Sequence, residues 1–262
     1  MIEFKSKTIW ITGASSGIGK ALAIKFANLG ANLVLSSRKE EELKKVAKLC
    51  NTKTYILTLD LEKPSEFSTA VSKVLEEFKT IDLLINNGGI SQRSKACETE
   101  LEVDRRLMEI NYFGTAGLTK AVLPIMQKQQ SGHIVTISSL SGKFGFFLRS
   151  AYAASKFAQV GFFESLRLEE RENNINVSMV FPGFIKTNIS QNALSGDGSA
   201  HGMLDNNQKG GITAEKCAQD IINGIVRKKH EIYSGGKELW MVKIKRFLPK
   251  LFYRLLKNQS GT

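Results

Sequence analysis

The stretch Thr8-Ile9-Trp10-Ile11-Thr12-Gly13-Ala14-Ser15-Ser16-Gly17-Ile18-Gly19 decides how this chain is read. It opens as a short apolar and β-branched run, the pattern of a buried strand, and passes into a glycine-rich turn. A helical pattern begins at about Gly17. Three glycines alone are weak evidence, but between a strand and a helix each has a use. Gly13 permits a tight turn, Gly17 a close approach of backbone to ligand, and Gly19 close packing of helix on sheet. The helix start offers unpaired N–H groups and the positive end of its dipole, which suits a pyrophosphate. Ser15, Ser16 and Ile18 share that turn.

Outward from this turn, apolar runs recur at Asn32–Ser36, Thr54–Thr58, Ile81–Ile85, His133–Ser138, Asn176–Phe181 and Glu231–Ser234, separated by segments of helical length. Strands alternating with helices predict an α/β fold, a doubly wound seven-stranded parallel sheet of Rossmann type. Residues 1–236 read as one dinucleotide-binding and catalytic domain, a size that a single open sheet supports. Within it, Asn188–Gly211 is rich in Gly, Ser and Asn and follows the sixth strand. It reads as a substrate lid or as an ordinary surface loop. Residues 237–262 form a basic amphipathic extension.

The chain has 262 residues and a net charge of +12. Its three cysteines, Cys50, Cys97 and Cys217, are far apart, so neither a disulfide framework nor a metal site is expected. No signal peptide is apparent, and no apolar run reaches the roughly 20 residues that span a bilayer. A cytoplasmic protein is expected, with peripheral membrane contact open.

The end of the second strand bears on the cofactor. A carboxylate there would accept bonds from a ribose 2′-hydroxyl and repel a 2′-phosphate. The sequence reads Ser36-Ser37-Arg38-Lys39 with no acid before Glu40. Arg38 suits a 2′-phosphate, with Ser15 and Ser37 adding neutral bonds, although an exposed cation at a helix start would look the same. Farther on, Tyr152 and Lys156 stand at i, i+4 on one helix face. A phenol titrates near 10, and a neighbouring ammonium is expected to lower that value. The same spacing also occurs in ordinary packing pairs.

Taken together, the turn Thr12–Gly19, Asp60-Leu61, Asn86-Asn87-Gly88-Gly89, Asn111, Ser139, Tyr152 with Lys156, and Pro182-Gly183 followed by Thr187 closely resemble the short-chain dehydrogenase/reductase family over residues 7–234. The resemblance implies an NADP(H)-dependent oxidoreductase acting on a carbonyl or secondary alcohol. Ser139 would hold the substrate oxygen, Tyr152 exchange its proton, Lys156 hold the ribose, and Asn111 fix a water for proton relay. Asp60 and Leu61 would meet the adenine, Asn87 and Gly88 shape the adenosine side, and Pro182, Gly183, Ile185 and Thr187 the nicotinamide side. Gly88 departs from the family's usual Ala, which implies local flexibility without lost chemistry. A homodimer or tetramer through Asn111–Gln129 and Ala151–Arg171 is implied as well. Two other functions stay open: a 3-oxoacyl-thioester reductase working on an acidic carrier protein, and a non-catalytic NADP(H) sensor.

From Arg227 onward ten basic residues face only Glu231 and Glu238. Plotted as a helix, Lys243, Arg246, Lys250, Arg254 and Lys257 share a stripe beside Trp240, Ile244, Phe247, Leu248, Leu251, Phe252 and Leu255. Such a helix suits an anionic membrane surface, or it packs on the domain or a partner, with Pro249 kinking it or opening a second helix. Nucleic acid is not expected, since no aromatic residues interleave the basic stripe for stacking. The tail also resembles those of family members acting on steroids and lipids, which implies a hydrophobic or lipid-like substrate. Phe144, Phe146 and Phe147 would line its pocket or belong to the core or an interface.

Overall fold

The computed structural model describes residues 4–203 and 209–257. The expected lid thus lies partly outside the described residues, as does the end of the tail. Strands β1 (Thr8–Thr12), β2 (Asn32–Ser37), β3 (Thr54–Thr58), β4 (Leu83–Asn86), β5 (Gly132–Ile137), β6 (Ile175–Pro182) and β9 (Glu231–Ser234) form one sheet in the order β3-β2-β1-β4-β5-β6-β9. Every neighbouring pair is parallel. The predicted seven-stranded, doubly wound architecture is therefore the observed one. Its order reverses between β1 and β4, which opens a crevice at the carboxyl ends of the strands.

Alternation along the strands divides the core. Ile9, Ile11, Leu33, Leu35 and Ile85 face α1 (Gly17–Asn28), α2 (Glu40–Ala47) and a C-terminal helix, Ala214–Val226, in a cluster with Phe26, Leu43 and Ile221. Trp10, Val34, Leu84 and Ile134 face α3 (Phe67–Phe78), α5 (Thr115–Gln129) and α6 (Ser150–Glu169), with Phe67, Val122 and Phe163. Between α3 and α5 lies α4 (Leu101–Met108), which runs into a π-helical turn, Glu109–Gly114. The Ala214–Val226 helix is α7.

Two features have no strong signal in the sequence. A short parallel pair, β7 (Ile185–Lys186) with β8 (Ile212–Thr213), closes the base of the expected lid. The described part of that segment is tethered as well. Leu194 N–H donates to Ser91 O (2.8 Å), its carbonyl accepts from Arg93 N–H (2.7 Å), and Gly196 O accepts from Glu100 N–H (2.9 Å). Ser190 and Ala193 are fully buried. This stretch lacks periodicity because single backbone bridges fix it, rather than a repeated side-chain face.

The tail forms two helices, α8 (Trp240–Phe247) and α9 (Pro249–Lys257), with Pro249 at the first position of the second. The single stripe of the helical wheel is therefore broken. Phe252 is 1% exposed and inserts edge-on against Phe144, with ring centroids 5.1 Å apart. Leu239, Met241, Val242, Ile244 and Leu256 are partly buried against the same core. Trp240, Phe247, Leu248, Leu251 and Leu255 face outward.

Candidate functional site

The glycine turn sits at the carboxyl end of β1, in the crevice. Gly13 has φ +63 and Gly17 φ +53, conformations that cost little only without a side chain. A Cβ on Gly13 would lie 2.8 Å from Asn87 Nδ2, and one on Gly19 would lie 2.3 Å from Gly13 O. Gly19 is thus needed to fold the turn on itself, a tighter demand than helix-on-sheet packing. Asn87 braces the turn: its Nδ2 donates to the carbonyls of Thr12 (3.0 Å) and Gly13 (3.1 Å). Thr12 Oγ1 accepts from the backbone N–H groups of Asn87 (3.0 Å) and Gly88 (2.9 Å).

A Cβ on Gly17 would meet Thr187 Cγ2 at 3.1 Å, so the turn and the loop after β7 converge. Ser16 precedes α1 in extended backbone and makes no side-chain cap bond. Ser15 is half-buried in the turn, and Ile18 packs inward from the first turn of α1. A cradle with no Cβ, opening on a helix N-terminus, fits a dinucleotide pyrophosphate.

Around the adenosine end, Asp60 accepts from Glu62 N–H (3.1 Å), and Leu61 lies beneath Gly88. An added Cβ on Gly88 would come within 2.8 Å of Leu61 Cδ1. That atom is the tip of a flexible side chain, so an alanine here would ask only a small shift of Leu61. Ser37 Oγ accepts from Lys39 N–H (3.1 Å). Arg38 is about half exposed and reaches Glu62 at 3.5 Å; Glu62 also pairs with Arg106 at 3.2 Å. On the opposite side, Gly183 N–H donates to Ser234 O (2.8 Å), beside the buried Pro182. Ile185 is buried on β7.

Ser139, Tyr152 and Lys156 converge beyond the end of β5, and Asn111 stands behind them. The π-helical turn carries Asn111 into the interior, fully buried; such bulges re-aim single side chains. Asn111 Oδ1 accepts from Ile90 N–H (2.9 Å), while Nδ2 donates to Ile90 O (3.0 Å) and Ser155 Oγ (2.9 Å). Lys156, 4% exposed, donates to Ile137 O (2.9 Å) and Gln159 Oε1 (3.2 Å). Its Nζ lies 5.8 Å from the centre of the Tyr152 ring. Burial pulls the ammonium down from 10.5 to about 7.

The phenol departs from expectation. Burial raises Tyr152 above its ordinary value, while Ser139 and Arg149 act in the opposite direction and do not overcome it. Desolvation disfavours both charged forms, and a Lys156 held near neutrality is a weak source of positive field. Arg149 is the cation that acts on the phenol; its Nη1 donates to Ser91 Oγ (2.6 Å) and Gln92 O (2.8 Å).

Phe144 is wholly buried between a tilted Phe146 and an edge-on Phe252, and belongs to the core rather than to a pocket. Phe146 meets Phe184 edge-on at 6.1 Å, whereas Phe147 is 54% exposed. Phe147 borders a cavity of about 610 Å³ with Arg93, Lys95, Glu98, Asp197 and His201. Its charges are mixed in sign.

Sequence reasoning missed Gln159 and Glu238. Glu238 Oε1 accepts from the N–H groups of Phe184 (2.9 Å) and Gly236 (2.9 Å), tying the tail to the loop after β6. Glu231 pairs with Lys143, four residues past Ser139. Glu238 thus anchors the tail beside the site, while Glu231, on β9, ties that strand to the loop after β5. That they were the only acids from Arg227 onward was the available signal.

Residues 7–198 match the family described as short chain dehydrogenase. The chain is 39% identical to "Dehydrogenase/reductase SDR family member 7B" of Mus musculus, over 98% of this chain and 82% of that protein. It is 40% identical to "Dehydrogenase/reductase SDR family protein 7-like" of Drosophila melanogaster, with the same coverage. Among solved structures, a short-chain dehydrogenase from Streptomyces avermitilis superposes with TM-score 0.81 at 26% identity, covering 97% of this chain and 96% of that one. A family protein from Burkholderia phymatum, solved with NAD, superposes with TM-score 0.84 at 24% identity, covering 100% and 98%.

Proposed function

The chain belongs to the short-chain dehydrogenase/reductase family, and from that premise we propose that it interconverts a carbonyl and a secondary alcohol with NADP(H). The observation that carries this reading is the convergence of Ser139, Tyr152 and buried Lys156 at the end of β5, across the crevice from the glycine turn. Gly13–Gly19 would hold the pyrophosphate, Asp60 and Leu61 the adenine side, and Thr187 and Ile185 the carboxamide side. Arg38 would hold a 2′-phosphate in preference to its distant pairing with Glu62. The bound nicotinamide supplies or accepts the hydride.

The chain's own residues manage the proton. Ser139 donates to the substrate oxygen and fixes it beside Tyr152. In reduction Tyr152 gives its proton to that oxygen as charge develops there; in oxidation it removes it. Burial keeps the phenol protonated at neutral pH, so the proton is in place for reduction. Lys156 supplies donors for the ribose and, in its protonated form, a charge beside the phenolate. The test is NADPH consumption, followed by absorbance, against a panel of aryl ketones, lipid carbonyls and sugars. Turnover of apolar carbonyls supports the reading; no NADPH binding overturns it. A role on an acidic carrier protein is less well supported, because Glu98 and Asp197 interrupt Arg93 and Lys95 at the cavity.

The outward face of the tail supports a peripheral membrane partner. Trp240, Phe247, Leu248 and Leu251 are exposed there with Lys243, Arg246, Lys250 and Arg254. Among the described residues no helix is long and apolar enough to cross a membrane. Apolar side chains among cations would seat at an anionic lipid surface. Exposed Phe113, Phe157 and Leu168 lie within the two segments through which the family resemblance implies dimerisation, and support a homo-oligomer.

A further inference from the structure

Gln159 lies one helical turn beyond Lys156 on α6 and is 1% exposed. Its side chain spans two groups of the site. Oε1 accepts from Lys156 Nζ at 3.2 Å, and Nε2 donates to the backbone carbonyl of Asn111 at 2.6 Å. The orientation of the amide is forced, since a carbonyl only accepts and an ammonium only donates. The amide also closes a buried circuit. Asn111 Nδ2 donates to Ser155 Oγ (2.9 Å), and Ser155 Oγ donates to the carbonyl of Tyr152 (2.8 Å). The π-turn, Lys156 and the backbone of Tyr152 are therefore held in one network.

We propose that Gln159 is the positioning residue for Lys156, its amide tying the Lys156 ammonium to the Asn111 carbonyl. This rests on the oxidoreductase reading above. Gln159 thus holds the ammonium against Ile137 O and ties it to the π-turn that carries Asn111. The remaining groups around Lys156 are the Tyr152 phenol, with Arg149 on its far side, and the Asn111 carboxamide across Gly89. Burial is the cause of its depressed titration, with no carboxylate contributing.

The experiment is a titration of Lys156 in the full chain by NMR of lysine labelled with carbon-13 at Cε, assigned with Lys156→Arg. Gln159→Met keeps the length of the side chain but removes the acceptor. Gln159→Glu keeps an acceptor and adds charge. The Met variant should lower the Lys156 midpoint by about one pH unit, and the Glu variant should raise it. With an active substrate, the pH profile of kcat should move in the same two directions. Midpoints unchanged in both variants, or shifted alike in both as by a general packing disturbance, overturn the proposal. The titration needs no turnover, so loss of the oxidoreductase reading would register separately, as a Tyr152→Phe variant that still turns over.

Discussion

Replacing Phe252 by Ala tests whether the tail belongs to the folded core. The ring is 1% exposed and contacts Phe144, itself fully buried beside the loop that leads from Ser139 to Tyr152. Removing a buried Phe costs about 3–5 kcal/mol, the lost transfer energy plus the cavity left behind. For a chain of this size that is roughly a 10 °C fall in Tm if unfolding is global. The tail is also held by Lys245 Nζ donating to Lys143 O (2.9 Å) and by the Glu238 bonds. Part of the loss can therefore appear as local opening, read by hydrogen exchange of α8, α9 and residues 143–147. Phe247→Ala is the control: at 72% exposure it should change stability by less than about 0.5 kcal/mol. Denaturant unfolding and exchange on both variants decide the matter. Equal, small effects for both would refute the packing argument.

Three further outcomes are expected. His133 is pushed down from 6.5 to about 4, chiefly by burial, and its Nε2 must carry the proton because Ser178 Oγ, 2.8 Å away, gives its own to Lys229 O. The unfolded chain binds this proton first, so the neutral folded form loses stability as pH falls from 6.5 toward 4. The loss is on the order of 3 kcal/mol, and urea unfolding of His133→Gln should show a flatter acid limb. Arg38→Leu should raise the KM for NADPH at least tenfold and leave that for NADH nearly unchanged; equal effects on both would count against a 2′-phosphate contact. Flotation with anionic vesicles should recover the protein, less so with neutral vesicles or after charge reversal of Lys243, Arg246 and Lys250; equal recovery would remove the membrane partner.

Much of the fold was legible because central parallel strands are covered on both faces and read as continuous apolar runs, as in Ile9-Trp10-Ile11. Ends were less certain where hydrogen bonding decides them: β4 starts at Leu83, after Asp82 has spent its carboxylate on Thr8 N–H and Lys7. The pair β7–β8 went unseen because two residues carry no periodicity. The π-turn did too, since one extra residue in a helix leaves the apolar spacing nearly intact. The glycine turn was legible from its place between a strand and a helix, whereas Ser139 and the roles of Tyr152 and Lys156 came from the family resemblance rather than from spacing alone. The support around them was not legible. Gln159 reads in sequence as an ordinary polar helix residue, and only the arrival of Asn111 from another helix makes it a partner. The tail's alternatives included a second helix opened at Pro249 and packing on the domain, but the wheel, which assumes one straight helix, could not tell that Phe252 turns inward.

The account rests on Tyr152 as the proton donor. The direct measurement is single-turnover reduction of a ketone substrate by NADPH in wild type and Tyr152→Phe, with cofactor affinity measured alongside. Phe keeps the ring in its buried place and removes only the hydroxyl. The account predicts NADPH binding within about threefold of wild type and a chemical step slower by about a hundredfold or more. A variant that binds NADPH and reduces the ketone at the wild-type rate would contradict it.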